Sequence, residues 1–301
     1  MLSAEDTELL TRVGPGTPMG DLMRQYWIPA VYSWELEADG QPLRVRFLGE
    51  DLLAWRATDG TVAFSQALCP HRGAGLYYGR NEQDGLRCAY HGWKFDVSGQ
   101  CIEMPNEPGE SNFKNKVRIT SYKGGEFGGL VWIYMGPRQD NPPGIPQFEW
   151  GLIPDEQRSQ YRKAIYECNW MQGLEGEMDS THIYVLHGRN REEDAAKYGL
   201  FHTGLSAKFH LRDTEYGLLY AAERKERDEN IYWRTTQFLF PFYGMFPGSP
   251  SSVPLSIYVP VDDTHTLHMG LRWHPTERIP GTGRPSPELP KEPGTLVDGM
   301  G

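Results

Sequence analysis

The stretch "CPHRGAGLYYGRNEQDGLRCAYHGWKF", residues 69–95, decides how the rest of the chain is read. It holds two of the chain's four cysteines and two of its nine histidines, as Cys69-x-His71 and, after sixteen intervening residues, Cys88-x2-His91. Two thiolates and two imidazoles from two short loops suit zinc or an iron–sulfur cluster, since either accepts a Cys2His2 set. The pairing bears on the choice. Zinc fingers commonly take two cysteines from one loop and two histidines from the other, whereas each loop here gives one of each. Two cysteines can then serve one iron and two histidines the other. A structural zinc site and four unrelated core residues are the competing readings.

Working outward, 301 residues exceed one compact domain, so two domains are expected. With 39% hydrophobic residues, nine tryptophans and sixteen tyrosines, the chain can bury a core that offsets its conformational entropy. A net charge of −10 and a pI near 5.4 argue against nucleic acid as a partner, because phosphate binding needs a basic surface. The N-terminal "MLSAEDTELLTRVG" lacks a basic start followed by an apolar run, and no window reaches membrane-spanning length. A cytoplasmic protein with no membrane partner is therefore expected. Four cysteines are too few for a disulfide scaffold of this size.

The pattern predicts one short helix over "TPMGDLMRQYWI", residues 17–28, with Thr17 as N-cap and Pro18 at the first helical position. From residue 42 the period changes to two. "DLLAWRATDGTVAFSQA" reads as a hairpin turning at Asp59-Gly60, "WKFDVSGQCIEM" turns at Ser98-Gly99, and "GGLVWIYMGP" is a further strand. The expected organisation is an N-terminal helical segment over 1–29, a β domain over 30–137, a Pro/Gly-rich linker over 138–147 and a second domain over 148–301. In that second domain, 169–189 favours a helix. "YGLLYAAER", "NIYWRTTQFLFPF", "LSIYVPV" and "HTLHMGLRWH" read as strands, giving an α+β class.

"CPHRGA" and "CAYHGWKF" resemble the two loops of a Rieske [2Fe–2S] centre. The resemblance implies that Cys69 and Cys88 bind a buried iron, and His71 and His91 an exposed one. Gly73, Gly75 and Gly92 would let backbone N–H groups approach the sulfurs. Downstream, Glu175, Glu177, Asp179, His182 and His187 fall in one stretch. On a regular helix Asp179 and His182 share a face, while His182 and His187 stand about 140° apart. For both histidines to reach one metal, the helix must end there or carry a wider π-like turn.

"NWMQGLEGEMDSTHIYVLH" resembles the mononuclear-iron segment of Rieske non-haem iron oxygenases. "LTRVGPGTPMGDLMRQYWIPA", "RVRFLGEDLLAWR" and "MPNEPGESNFKNKVR" look like the phthalate 4,5-dioxygenase-like branch of their large (alpha) subunits. That resemblance implies an all-β Rieske domain followed by a helix-grip, START-like antiparallel-sheet catalytic domain. It implies Fe(II) held by His182 and His187, with Asp179 bridging His182 to the histidine matching His91 in a neighbouring subunit of a homotrimer. It further implies a separate NAD(P)H-dependent reductase, and O2-dependent hydroxylation or O-demethylation of an aromatic substrate, most of the branch handling aromatic carboxylates and aryl ethers. The competing function is a Rieske electron carrier fused to a non-catalytic domain.

Two departures stand out. Many relatives place Asn three residues before the bridging Asp, where this chain has Gly176. The family's third iron ligand is an Asp on a late helix, whereas the nearest late acids here are Asp262, Asp263 and Asp298, none a good match. The expectation is a C-terminally truncated subunit with an incomplete catalytic domain and a weak mononuclear site. Cys101 and Cys168 are expected to be small buried residues. His202, His210 and His265 are expected to be structural or surface residues, and so are His268 and His274, although those two could line a pocket.

Overall fold

The computed structural model describes residues 2–183, 186, 206–225, 230–247 and 252–279. Helix α1 (Ala4–Thr11) starts at Ser3, whose hydroxyl accepts from Asp6 N–H. Helix α2 (Pro18–Met23) starts as the sequence predicts, with the Thr17 hydroxyl accepting from Gly20 N–H. It ends five residues early. Only Met19, Gly20 and Met23 are buried on it, while Leu22 and Tyr26 point to solvent. Trp27–Tyr32 instead forms a strand buried at every position, because pairing with Leu130–Tyr134 covers more apolar surface than another helical turn would.

The first compact unit comprises 2–153 and 259–265 among the described residues. Its strands are β1 (Trp27–Tyr32), β2 (Leu43–Phe47), β3 (Glu50–Arg56), β4 (Val62–Gln66), β5 (Arg80–Glu82), β6 (Gly85–Arg87), β7 (Lys94–Phe95), β8 (Cys101–Glu103), β9 (Ser121–Phe127) and β10 (Leu130–Tyr134). They form a six-stranded sheet in the order β1-β10-β9-β4-β3-β2 and a four-stranded meander β5-β6-β7-β8. Both expected turns are present, with Gly60 at φ 89° and Gly99 at φ 84°. Leu53, Trp55, Leu76, Leu86, Phe95 and Ile119 share one core with the thiols of Cys69, Cys88 and Cys101. Helix α3 (Glu149–Leu152) buries Trp150, which stacks on Trp132 and Phe148 at 6.4 and 5.9 Å. Residues 148–153 thus group with the first unit, beyond the 138–147 segment read as a linker.

Asp262 and Asp263 lie in the turn at 259–265, as expected, and both carboxylates are structurally committed. Asp262 accepts from the N–H groups of Thr264 and His265, and Asp263 from Val13 N–H and Arg12. Burial works to raise the Asp262 pKa, and these bonds outweigh it, holding the carboxyl at about 2. A depressed carboxylate stabilises the fold above its unfolded pKa and stops doing so as pH falls through the folded value. The denaturation midpoint should therefore fall between pH 4 and pH 2 by more in wild type than in Asp262→Asn.

The second unit comprises 154–258 and 266–279. Strands β11 (Arg158–Tyr166), β12 (Lys208–Thr214), β13 (Gly217–Lys225), β14 (Ile231–Leu239), β15 (Tyr243–Met245), β16 (Val253–Pro260) and β17 (Thr266–Trp273) build one sheet in the order β11-β17-β16-β15-β14-β13-β12. Helix α4 (Trp170–Met178), capped by Asn169, packs on it through Trp170 and Leu174. The expected single helix over 169–189 is interrupted: Asp179 has extended backbone (φ −71°, ψ 116°) and caps α4. Helical backbone resumes at His182, and Ile183 and Leu186 are π-helical. Among the described residues no helix is long and apolar enough to cross a membrane.

Gly173 sets how closely α4 approaches the sheet, since a Cβ there would lie 2.8 Å from the Tyr258 ring. Gly173→Val should destabilise the second unit by about 1–3 kcal/mol, read as a lower urea midpoint.

Candidate metal centres

The two cysteine loops, 69–74 between β4 and β5 and 88–93 between β6 and β7, are built alike. In each, the cysteine N–H donates to the carbonyl five residues on, Cys69 to Ala74 at 2.8 Å and Cys88 to Trp93 at 2.8 Å. In each, the glycine four residues on donates back to the cysteine carbonyl, Gly73 at 2.9 Å and Gly92 at 3.0 Å. Closing that ring needs left-handed backbone, and both glycines have it, at φ 68° and 75°. A side chain at Gly92 would also strike Pro105, 2.7 Å from the added Cβ.

This geometry brings all four predicted residues of the first set together. Cys69 and Cys88 are 2% and 3% exposed, while His71 and His91 reach partway to solvent. Burial pushes the Cys69 thiol up to about 11, with the neighbouring Cys88 adding to it. The imidazoles of His71 and His91 meet edge to face at 4.5 Å, and His71 stacks on Trp93 at 4.4 Å. Trp93 is itself fixed by its N–H to Asn106 Oδ1 at 2.7 Å. Burial, then His91 and Arg72, lower the His71 pKa and keep it neutral. Among the described residues His71 Nδ1 is buried without a hydrogen-bond partner, an orphan that a metal would satisfy. Two thiols inside and two imidazoles outside fit a two-iron cluster with two protein ligands per iron. Among the described residues no group of three or more His, Cys, Asp or Glu converges on a single ion.

Sequence reading missed what holds the second loop. Arg87, next to Cys88, donates to the Gly92 carbonyl at 2.9 Å and to Glu82 and Glu103 at 2.6 Å each. Lys94, whose side chain is 2% exposed, joins Glu103 at 3.3 Å and the Gln83 carbonyl at 3.0 Å. Arg80 also reaches Glu82, at 3.1 Å, so three cations meet two carboxylates under the loop. Nothing in "GLRCAYHGWKF" distinguishes Arg87 and Lys94 from surface cations.

In the second unit, Asp179 and His182 are together, though not along a helix face. One carboxylate oxygen of Asp179 accepts from Thr181 N–H at 2.7 Å; the other accepts from His182 N–H at 3.1 Å and lies 3.2 Å from His182 Nδ1. Burial works to raise the Asp179 pKa, but these bonds outweigh it and keep the carboxylate charged. With Nδ1 engaged, a metal bound by His182 takes Nε2. Arg224, fully buried, reaches from β13 to the carbonyl and hydroxyl of Ser180 at 3.1 and 3.2 Å and fixes this turn. It too was invisible in sequence, where "YAAERKERDEN" reads as a charged strand end. An added Cβ at Gly176 meets nothing within 4 Å, so there is open space around this position of α4. His187, His202 and Asp298 lie outside the described residues.

Of the remaining groups, Cys101 is buried, whereas Cys168 is partly exposed, against expectation. His210 pairs with Glu223, His265 with Asp262, and His274 Nδ1 accepts from Thr276 and Glu277 N–H. His268 is buried in β17.

Two family descriptions match the chain: the Rieske [2Fe-2S] domain over residues 26–123 and a LigXa C-terminal domain like region over 133–284. The chain is 36% identical to the 5,5'-dehydrodivanillate O-demethylase oxygenase subunit of Sphingobium sp., over 100% of this chain and 70% of that one. It belongs to the oxygenase (alpha) subunits of the Rieske non-haem iron oxygenases. This Rieske oxygenase subunit is also 41% identical to the 3-chlorobenzoate-3,4-dioxygenase oxygenase subunit of Comamonas testosteroni and 40% identical to the phthalate 4,5-dioxygenase oxygenase subunit of Pseudomonas putida. Those matches cover 91% and 94% of this chain but only 64% and 66% of the relatives' lengths. Its fold is shared with dicamba monooxygenase (TM-score 0.66, 22% identity, 85% of this chain and 79% of that one). It is shared equally with the terminal oxygenase of carbazole 1,9a-dioxygenase from Nocardioides aromaticivorans IC177 (TM-score 0.67, 19% identity, 90% and 77%). The family's cofactors are a Rieske [2Fe–2S] cluster and a mononuclear Fe(II).

The second loop depends on Arg87, so Arg87→Met should remove its bond to the Gly92 carbonyl and leave Glu82 to the exposed Arg80 and Glu103 to Lys94 alone. We expect about 3 kcal/mol lost from the first unit and a faster loss of cluster absorbance on heating, followed by thermal melting and visible spectroscopy.

Proposed function

We propose that the protein is the terminal oxygenase component of a Rieske system, acting on an aromatic substrate together with a separate NAD(P)H-dependent reductase. The observation that carries this is the conjunction of two kinds of site in one chain: the paired cysteine–histidine loops of the first unit and the Asp179–His182 turn of the second. Cys69 and Cys88 hold the buried iron of the cluster and His71 and His91 the exposed one. His182 and His187 hold the mononuclear iron. When bound, the cluster supplies one-electron storage and the Fe(II) supplies O2 activation for hydroxylation or O-demethylation.

The chain's own residues orient and insulate these groups. The glycine-closed loops bury the cysteines, and Trp93 sets the plane of the His71 ring. Asp179 fixes the His182 tautomer and keeps a charged carboxylate beside it, with 43% of its side chain exposed. That exposure suits the family's arrangement, in which this acid also meets the cluster histidine of a neighbouring subunit, and so supports a homotrimer. Similarity to 3-chlorobenzoate, phthalate and dehydrodivanillate oxygenase subunits favours an aromatic carboxylate or aryl ether as substrate. The acidic composition and the absence, among the described residues, of a helix able to cross a membrane favour a cytoplasmic site.

Anaerobically prepared, full-length protein should carry a Rieske EPR signal and about three irons per chain. His182→Ala should lose one iron without altering that signal. Asp179→Asn should slow reductase-coupled O2 consumption on the order of 10–100-fold at unchanged iron content. Two irons per chain in wild type would leave an electron carrier as the better reading.

A further inference from the structure

Helix α4 meets the second unit's sheet along the stripe Trp170, Leu174 and Glu177, whose spacing puts them on one helical face. Trp170 and Leu174 are 1% and 3% exposed, so the third position of that stripe calls for an apolar side chain. A glutamate stands there instead. It lies in the last turn of α4, where the helix dipole disfavours a carboxylate, and Glu175 and Asp179 flank it in sequence. Among the described residues no lysine, arginine or histidine pairs with it. Helix stability therefore gives no reason for Glu177.

The sheet supplies one. Glu177 accepts from the Tyr258 hydroxyl of β16 at 2.7 Å. Tyr258 is 4% exposed, its N–H donates to the Phe242 carbonyl at 2.8 Å, and its ring packs on the His268 imidazole at 4.7 Å. Its hydroxyl is thus a fixed point in the sheet. Two glycines keep the approach open: a Cβ at Gly173 would lie 2.8 Å from the Tyr258 ring, and one at Gly244 of β15 would lie 3.0 Å from Glu177 Cγ. An apolar contact has no preferred direction and would let the helix end turn or slide, whereas a hydrogen bond fixes both distance and angle. Two residues further on, Asp179 caps α4 and accepts from the N–H groups of Thr181 and His182.

We propose that Glu177 is a positioning residue for the mononuclear iron: its bond to Tyr258 fixes the last turn of α4, and with it the Asp179 cap that orients His182. Accepting that bond, and not carrying a charge, is what the role requires. Glutamine can accept it through its amide oxygen, whereas leucine completes the apolar stripe and loses the bond. The inference rests on the catalytic reading of the second unit, and it adds the link by which the sheet holds the metal-binding turn.

The test uses the full chain with its cluster in place and the mononuclear iron removed. Amide hydrogen exchange at Thr181 and His182 should speed up roughly tenfold in Glu177→Leu and in Tyr258→Phe, and stay near wild type in Glu177→Gln. On adding Fe(II) under argon, its Kd should rise roughly tenfold in the same two variants, with the Rieske EPR signal unchanged. The double variant Glu177→Leu/Tyr258→Phe separates positioning from stability. It leaves no buried polar group unpaired, so its urea midpoint should return to near wild type while its Fe(II) Kd stays raised. Iron affinity that recovers together with the midpoint would make Glu177 a packing residue. A Glu177→Gln variant as impaired as Glu177→Leu would assign the effect to charge and overturn the proposal, as would unmoved exchange and Kd in every variant. Should a single variant fail to fold, as judged by its circular dichroism, the double variant and Glu177→Gln decide in the same way. The iron count above tests the catalytic reading separately: three irons with unmoved exchange and Kd would sink the Glu177 assignment alone, and two irons with faster exchange would leave Glu177 a structural anchor.

Discussion

The hydrogen bond from each cluster cysteine's N–H to the carbonyl five residues on, closed by a left-handed glycine, is the constraint on which the first unit depends. It curls each loop so tightly that the cysteine turns into the core while the histidine two or three residues later turns out. A loop without that closure would present both side chains at similar depth. The asymmetry of the donor set, two buried thiols and two part-exposed imidazoles, follows from six residues repeated twice. The core that receives the thiols is apolar, which explains why Cys69 resists ionisation in the metal-free chain and why metal charge is needed to draw the thiolate form.

Buried cations reinforce both sites. Isolated, Arg87, Lys94 or Arg224 would cost several kcal/mol to desolvate, and such groups persist only where the structure gives them partners. Arg87 pairs with both Glu82 and Glu103, Lys94 shares Glu103, and Arg87 spends a third donor on the backbone of the second cysteine loop. Arg224 grips Ser180 at the start of the turn that presents His182. In each unit a guanidinium thus fixes main chain next to a proposed ligand residue, which holds that residue's turn in place.

Much of this architecture is legible in the sequence, and the failures have physical causes. Turns at Asp59-Gly60 and Ser98-Gly99 are readable because glycine adopts their left-handed backbone at the least cost. The cysteine–histidine loops were readable because metal chemistry limits the residue types. The helix at 17–28 was overextended because Leu22 and Tyr26 have core spacing yet face solvent, while Trp27 leaves for a strand. Spacing reports which residues could share a face, and pairing with a partner strand far along the chain decides which do. Asp179 and His182 were rightly grouped for the wrong reason. The i,i+3 relation is that of a cap to its turn, and on the residues alone it cannot be told from two positions on one continuous helix. Arg87 and Arg224 were illegible because burial of a charged residue is set by tertiary neighbours.

The two units reach the same solution by different means. Among the described residues no proposed histidine ligand is simply carried on a regular helix: His71 and His91 ride loops closed by glycine, and His182 follows the aspartate that caps α4. A side chain on a regular helix inherits the helix's position, so any shift in packing moves the ligand. A ligand on a short, internally bonded turn is held by bonds within a few residues, and its geometry is buffered from the packing beneath. That buffering accounts for why Gly176, one turn before the cap, can have open space around it without disturbing His182, whereas Gly92, inside a closed loop against Pro105, cannot carry even a methyl group without strain. Substitutions near these sites should therefore matter according to whether they fall inside the bonded turn, and not according to their distance from the metal.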